Sequence, residues 1–70
     1  MQTRYEIVIY WSNDDDCFLA EVPELPGCMA DGASHQEAVR NVEVVIEEWL
    51  STAHELGRHI PEPAGKLMYA

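Results

Sequence analysis

The chain has 70 residues, 47% of them hydrophobic, and carries a formal net charge of -9 at pH 7, with 13 acidic side chains against four basic ones. A chain this short buries only about 60% of the surface that its unfolded form exposes, which predicts a single domain over residues 1–70 that associates as a homodimer or higher homo-oligomer. The negative charge argues against direct binding to DNA, and the absence of a long apolar run argues against a membrane span.

Two strands are predicted at the start of the chain. Thr3 to Trp11 alternates with a period of two, as expected for a sheet with one buried face. The apolar positions of this face are Tyr5, Ile7, Ile9 and Trp11. Polar turn-forming residues follow at 12–16, and Cys17 to Val22 predicts a second strand with Phe18, Ala20 and Val22 on one face. The two strands should form a hairpin.

A proline-rich turn follows the hairpin. Pro26 suits position i+1 of a type II turn, and Gly27 supplies the positive φ that position i+2 requires. A third strand at about Cys28 to Asp31 can then return antiparallel beside the second. Pro23 to Pro26 also matches a P-x-x-P ligand motif, but such ligands act from exposed disordered segments, so a turn is the favoured interpretation.

One amphipathic helix is predicted after the third strand. Ser34 is a good N-cap, and Glu37 completes a capping box in which its carboxylate bonds back to the Ser34 amide. Gly57 can cap the C-terminus, and the prolines after it prevent continuation. The apolar residues recur every three or four positions and form one stripe: Ala38, Val39, Val42, Val45, Ile46, Trp49, Leu50, Ala53 and Leu56.

The last apolar residues predict a short fourth strand at Lys66 to Tyr69, reached by a right-handed crossover through the helix. The predicted class is therefore α+β, in the order β-β-β-α-β. It consists of a three-stranded antiparallel meander, one helix packed on one sheet face, and the short fourth strand.

The sequence offers only weak signals for catalytic or metal-binding sites. Consecutive aspartates at 14–16 lack the alternating spacing of a calcium loop, so a solvated turn is favoured over a cation site. Three histidines, His35, His54 and His59, show no zinc spacing, and no serine lies in a nucleophile elbow. The sequence thus predicts no enzyme activity, metal or cofactor.

The two cysteines and the two tryptophans also have structural roles that account for their presence. Cys17 and Cys28 should lie too far apart along the antiparallel pair to form a disulfide, which predicts two reduced, buried thiols. Reduced thiols and the polar start after Met1 predict a cytoplasmic protein. Trp49 is expected in the core, whereas Trp11 fits either the core or a partner contact.

Three segments carry a family resemblance: V-P-E-L-P-G-C at Val22 to Cys28, D-G-A-S-H-Q-E-A-V at Asp31 to Val39, and G-R-H-I-P-E-P at Gly57 to Pro63. Through these three segments, the chain resembles the HicB-like antitoxin family from about Tyr5 to Pro63. The resemblance implies a partial RNase H-like fold. It also implies a partner: a small basic HicA-like ribonuclease toxin, whose active site the antitoxin covers.

The chain departs from the family because many members carry a C-terminal DNA-binding domain, for which no residues remain before Ala70. DNA binding is therefore not expected. The first hypothesis is a toxin-binding module, and the alternative is an orphan self-associating domain without a toxin partner. A metal-dependent nuclease is rejected, because Glu6 and the aspartates at 14–16 should not converge on one site.

The acidic balance can serve solubility alone or can steer a basic partner, and charge by itself does not separate the two. It suits the implied role of an inhibitor that competes with RNA for a basic surface. The residues predicted to contact such a partner are Glu47, Glu48, Asp14, Asp15, Asp16 and Trp11. Self-association could use a strand edge or the open sheet face that carries Arg4, Glu6, Val8 and Tyr10, and the pattern does not choose between them.

Overall fold

The computed structural model describes residues 5–61, which form three strands and one helix. The strands are β1 (Val8–Ser12), β2 (Cys17–Glu21) and β3 (Met29–Gly32), and the helix is α1 (His35–Leu56). The strands form an antiparallel sheet in the order β1-β2-β3. The predicted α+β class and meander are thus confirmed, while the fourth strand predicted at Lys66 to Tyr69 lies outside the described residues.

The β1–β2 hairpin closes at the Ser12–Cys17 pair, around a four-residue turn. Asp16 adopts a positive φ of 54°, a conformation that aspartate tolerates better than most residues. At its other end the pairing stops at Val8 opposite Glu21, because β2 leaves the sheet there to enter the proline-rich turn. The predicted start of β1 at Thr3 is therefore wrong for residues 5–7. Tyr5 and Ile7 nevertheless pack against the core as the alternation predicts.

The turn between β2 and β3 has the predicted geometry. Gly27 has a φ of 79°, and the Cys28 N–H donates to the Leu25 carbonyl at 3.0 Å, as a turn centred on Pro26 and Gly27 requires. A second bond, from the Val22 N–H to the Cys28 carbonyl, closes the whole loop at 3.0 Å. Both main-chain groups of Cys28 serve the turn, so β3 begins one residue later than predicted.

Both ends of α1 are capped. The Ser34 hydroxyl accepts from the Glu37 N–H at 3.1 Å. The Glu37 carboxylate accepts from Ala33 at 3.0 Å, rather than from Ser34 as predicted, since either amide before the first turn lacks a partner within the helix. Gly57, with a φ of 68°, completes the C-cap, and the N–H of the next residue, Arg58, donates to the Ala53 carbonyl at 2.8 Å.

The core lies between α1 and one face of the sheet, here called the inner face. Its buried residues come from β2, the turn and the helix stripe: Ala20, Val22, Leu25, Cys28, Ala38, Val42 and Ile46. Trp49 packs against this cluster and its indole N–H donates to the Pro26 carbonyl at 3.0 Å, which confirms the predicted core position.

Leu56 is 66% exposed, so its predicted place in the buried stripe is wrong. A 22-residue helix is about 33 Å long, whereas a five-residue strand spans about 17 Å, so the last helical turn runs past the sheet. In the part of the chain that the structure describes, no helix is long and apolar enough to cross a membrane.

Candidate interaction surfaces

The acidic turn at residues 14–16 is exposed and forms the tip of the β1–β2 hairpin. Ser12 organises it, because its hydroxyl donates to Asp15 Oδ2 at 3.1 Å and accepts from the Asp15 N–H at 3.2 Å. Among residues 5–61, no three His, Cys, Asp or Glu side chains come together in a way that could hold a metal ion. The arrangement can present negative charge to a partner.

Glu47 and Glu48 are also exposed, but they lie at the opposite end of the molecule. The start of α1 is next to the hairpin tip, since the His35 and Phe18 rings are in contact, with centroids 4.2 Å apart and planes tilted by 38°. The helix then runs to the other end of the sheet, where Trp49 reaches Pro26. The two acidic groups predicted to bind a partner therefore do not form one patch.

Trp11 lies at the rim of the core and is 47% exposed. Its ring packs edge-to-face on Phe18, with centroids 5.1 Å apart, and its indole N–H donates to Asn13 Oδ1 at 3.0 Å. The open choice between core and partner contact is thus answered in part: one side of the ring packs on a core residue while the rest faces solvent. Contact with a partner stays a prediction.

The two thiols differ in their surroundings. Both cysteines are free, and Cys28 is buried while Cys17 is only half-buried, so the prediction of two buried thiols is wrong for Cys17. The outward direction of Cys17 explains this, because it alternates with the inward Phe18. Desolvation, followed by the charges of Asp31, Asp15 and Asp16, raises the pKa of the Cys17 thiol. Burial alone raises the pKa of Cys28. Both thiols therefore stay protonated at neutral pH.

A further surface is the side of the sheet opposite α1, here called the outer face. The register places Val8, Glu21 and Met29 in one row across the three strands, and Tyr10, Leu19 and Asp31 in the next. The helix contacts the inner face, and no element within residues 5–61 covers the outer one.

The outer face combines exposed apolar and acidic side chains. Val8, Tyr10 and Met29 are 36%, 39% and 44% exposed, respectively. Desolvation raises the pKa of the Tyr10 hydroxyl. A hydrogen bond to Glu21 and the negative charge of that carboxylate raise it further. The tyrosine hydroxyl thus remains a neutral hydrogen-bonding group beside a carboxylate.

The alternation of the first strand predicts an open face with Val8 and Tyr10, but it does not reveal what β2 and β3 contribute to that face. Leu19 and Met29 join this face only through the strand register. The signal was available in the closing turn, because a loop fixed by Pro26 and Gly27 sets which residues of β2 and β3 pair. Glu6 precedes β1, and its N–H donates to Glu24 Oε1 at 3.2 Å. Arg4 lies outside the described residues.

Comparison with known proteins places this chain among small proteins of similar length. It is 37% identical over 58 residues to a UPF0150 protein of Synechocystis, covering 83% of this chain and 78% of the relative. It is 30% identical over 58 residues to a UPF0150 protein of Thermoplasma acidophilum, covering 83% of each. A UPF0150 protein of Helicobacter pylori is 43% identical over 37 residues, covering 53% of this chain and 51% of the relative.

No solved structure shows significant similarity to the chain. The UPF0150-like family model matches residues 2–61, which include all three strands, both turns and the whole of α1. The chain therefore belongs to the UPF0150-like family.

Proposed function

We propose that this chain is a HicB-like antitoxin with a partial RNase H-like fold. In this proposal it acts in the cytoplasm and neutralises a small basic HicA-like ribonuclease toxin by covering the active site of the toxin. The observation that supports it best is the charge of -9 on 70 residues, with exposed carboxylates at both ends of the molecule. The motif from Val22 to Cys28, which forms the closing turn, supports it independently.

The mechanism is occlusion. A ribonuclease needs a basic surface to hold the RNA backbone, and a strongly acidic protein competes for that surface electrostatically. The acidic side chains also accelerate encounter, because long-range attraction acts before contact. In this proposal the inhibitor itself performs no chemistry.

A pull-down from the native host tests the proposal. The tagged protein should recover a small basic protein, identified by mass spectrometry, whose ribonuclease activity disappears when this chain is added back. Light scattering on the purified protein gives its oligomeric state. A clean homo-oligomer without such a partner, from cells shown to express the protein, would contradict the antitoxin proposal and favour the orphan self-associating domain.

Charge reversal at Glu47 and Glu48 should slow association with the basic partner. The double variant Glu47→Lys/Glu48→Lys is expected to lower the association rate constant by about tenfold at low salt and to flatten its salt dependence. Stopped-flow or surface-based kinetics at several salt concentrations measures both effects.

The control carries the same change in net charge elsewhere on α1, as Glu43→Lys/Glu55→Lys. A specific role for Glu47 and Glu48 requires that the control slows association less. Equal slowing in both variants would attribute the effect to net charge, and unchanged kinetics would remove the two residues from the interaction.

A further inference from the structure

We infer that the outer face of the sheet binds an amphipathic, basic α-helix contributed by a partner protein. This inference deepens the proposed function and rests on it for the basic character of the partner. It differs from the contact residues predicted from sequence, because the face is built from all three strands and excludes α1. Its apolar and acidic residues are Val8, Tyr10, Leu19, Met29, Glu21 and Asp31.

The apolar side chains form a connected surface. Tyr10 and Leu19 are direct cross-strand partners, and Met29 is paired with Glu21, so it lies diagonally from Leu19 on the neighbouring strand. Val8 and Met29 also border a groove of about 340 Å³ between the sheet and the closing turn, where Pro26 forms part of the wall. Contiguous apolar side chains beside a groove provide the hydrophobic contact area that a partner can bury.

The dimensions of the outer face suit one helix. Three strands spaced about 4.8 Å apart give a width of about 10 Å between the outer strands, and five residues give a length of about 17 Å. An α-helix with its side chains is about 10–12 Å across, so a single helix of three or so turns fills the face. The inner face is covered by α1 in the same way.

The charges determine what kind of helix fits. Glu21 lies at one end of the outer face and Asp31 along the β3 edge, with Asp15 lining a shallow depression beside Cys17 and Leu19. A second copy placed face to face would add its own carboxylates to those already on this face, between two molecules that each carry a charge of -9. A helix with an apolar stripe flanked by lysine or arginine would instead pair each carboxylate with a cation.

A peptide titration tests this inference without any ribonuclease. The probe is a synthetic amphipathic helix with leucine along one face and lysine along the other, added to the ¹⁵N-labelled full chain. The largest amide shifts are expected on β1, β2 and β3. Met29→Lys should weaken binding at least about tenfold, because it replaces an apolar contact by a like charge. Glu21→Lys should also weaken it through charge alone.

The matched control is Val44→Lys, which makes the same chemical change at a helix residue that is 51% exposed, compared with 44% for Met29. It should change the affinity by less than about twofold. Circular dichroism of each variant verifies that it is folded. A second peptide with glutamate in place of lysine should not bind if the carboxylates select the partner.

Several results would overturn the inference. These are shifts centred on α1, equal losses for Met29→Lys and Val44→Lys, equal binding of the glutamate peptide, or no binding of the lysine peptide. A wild-type dimer in light scattering that Met29→Lys dissociates would assign the face to a second copy instead. Because the peptide titration contains no toxin, its result is independent of the pull-down. A failed titration with a successful pull-down would contradict only the outer-face inference, and the reverse would contradict only the antitoxin proposal.

Discussion

Replacing Gly32 with alanine is expected to unfold most of the protein. A Cβ added at Gly32 would lie 2.5 Å from the backbone nitrogen of Ala38 and 2.9 Å from its Cα. These are main-chain atoms in the first turns of α1, so the helix as a whole would have to move away from β3. We expect a loss of at least about 3 kcal/mol in the free energy of unfolding, comparable to the whole stability of a domain of this size.

Urea unfolding followed by circular dichroism and tryptophan fluorescence measures this effect. The control is Gly57→Ala, where the φ of 68° imposes backbone strain but, among residues 5–61, the added Cβ meets no atom within 4 Å beyond its chain neighbours and the adjoining helix backbone. That variant should lose only about 1 kcal/mol. If Gly32→Ala were no more destabilised than Gly57→Ala, the close approach of α1 to β3 would be incorrect.

Local chemistry explains which parts of the fold could be predicted from sequence. The turn at Pro26 and Gly27 and the caps at Ser34 and Gly57 depend on residues within a few positions of each other, so their conformations follow from side-chain type. Strand ends depend on pairing. Alternation extends past Val8 to Ile7 and Tyr5, but β2 offers no partner there, so the strand stops.

The candidate site was harder to predict for a related reason. Helical periodicity identifies Glu47 and Glu48 as solvent-facing, and turn chemistry does the same for the aspartates at 14–16, which the structure confirms. Neither contains information on where the two groups lie relative to each other, because that depends on how α1 crosses the sheet. The outer face is hard to predict for the same reason, since Leu19 and Met29 become neighbours of Tyr10 and Glu21 only through the strand register.

Because Leu25 is buried, truncating it should lower the free energy of unfolding more than truncating any other large side chain of the closing turn. Leu25 is fully buried between the sheet and α1, and its main-chain groups bond to both Val22 and Cys28. Leu25→Ala leaves those bonds in place and removes only side-chain packing, with an expected loss of about 2–5 kcal/mol.

Leu56→Ala is the matched control, because it deletes the same atoms from a side chain that is 66% exposed. It should change the free energy of unfolding by no more than about 0.5 kcal/mol. A large difference between the two variants in urea unfolding would show that the turn motif from Val22 to Cys28 stabilises the fold through Leu25. A loss for Leu56→Ala as large as that expected for Leu25→Ala would mean that Leu56 is covered in solution by another copy of the chain. Its size would then depend on protein concentration, which light scattering at several concentrations relates to association between copies.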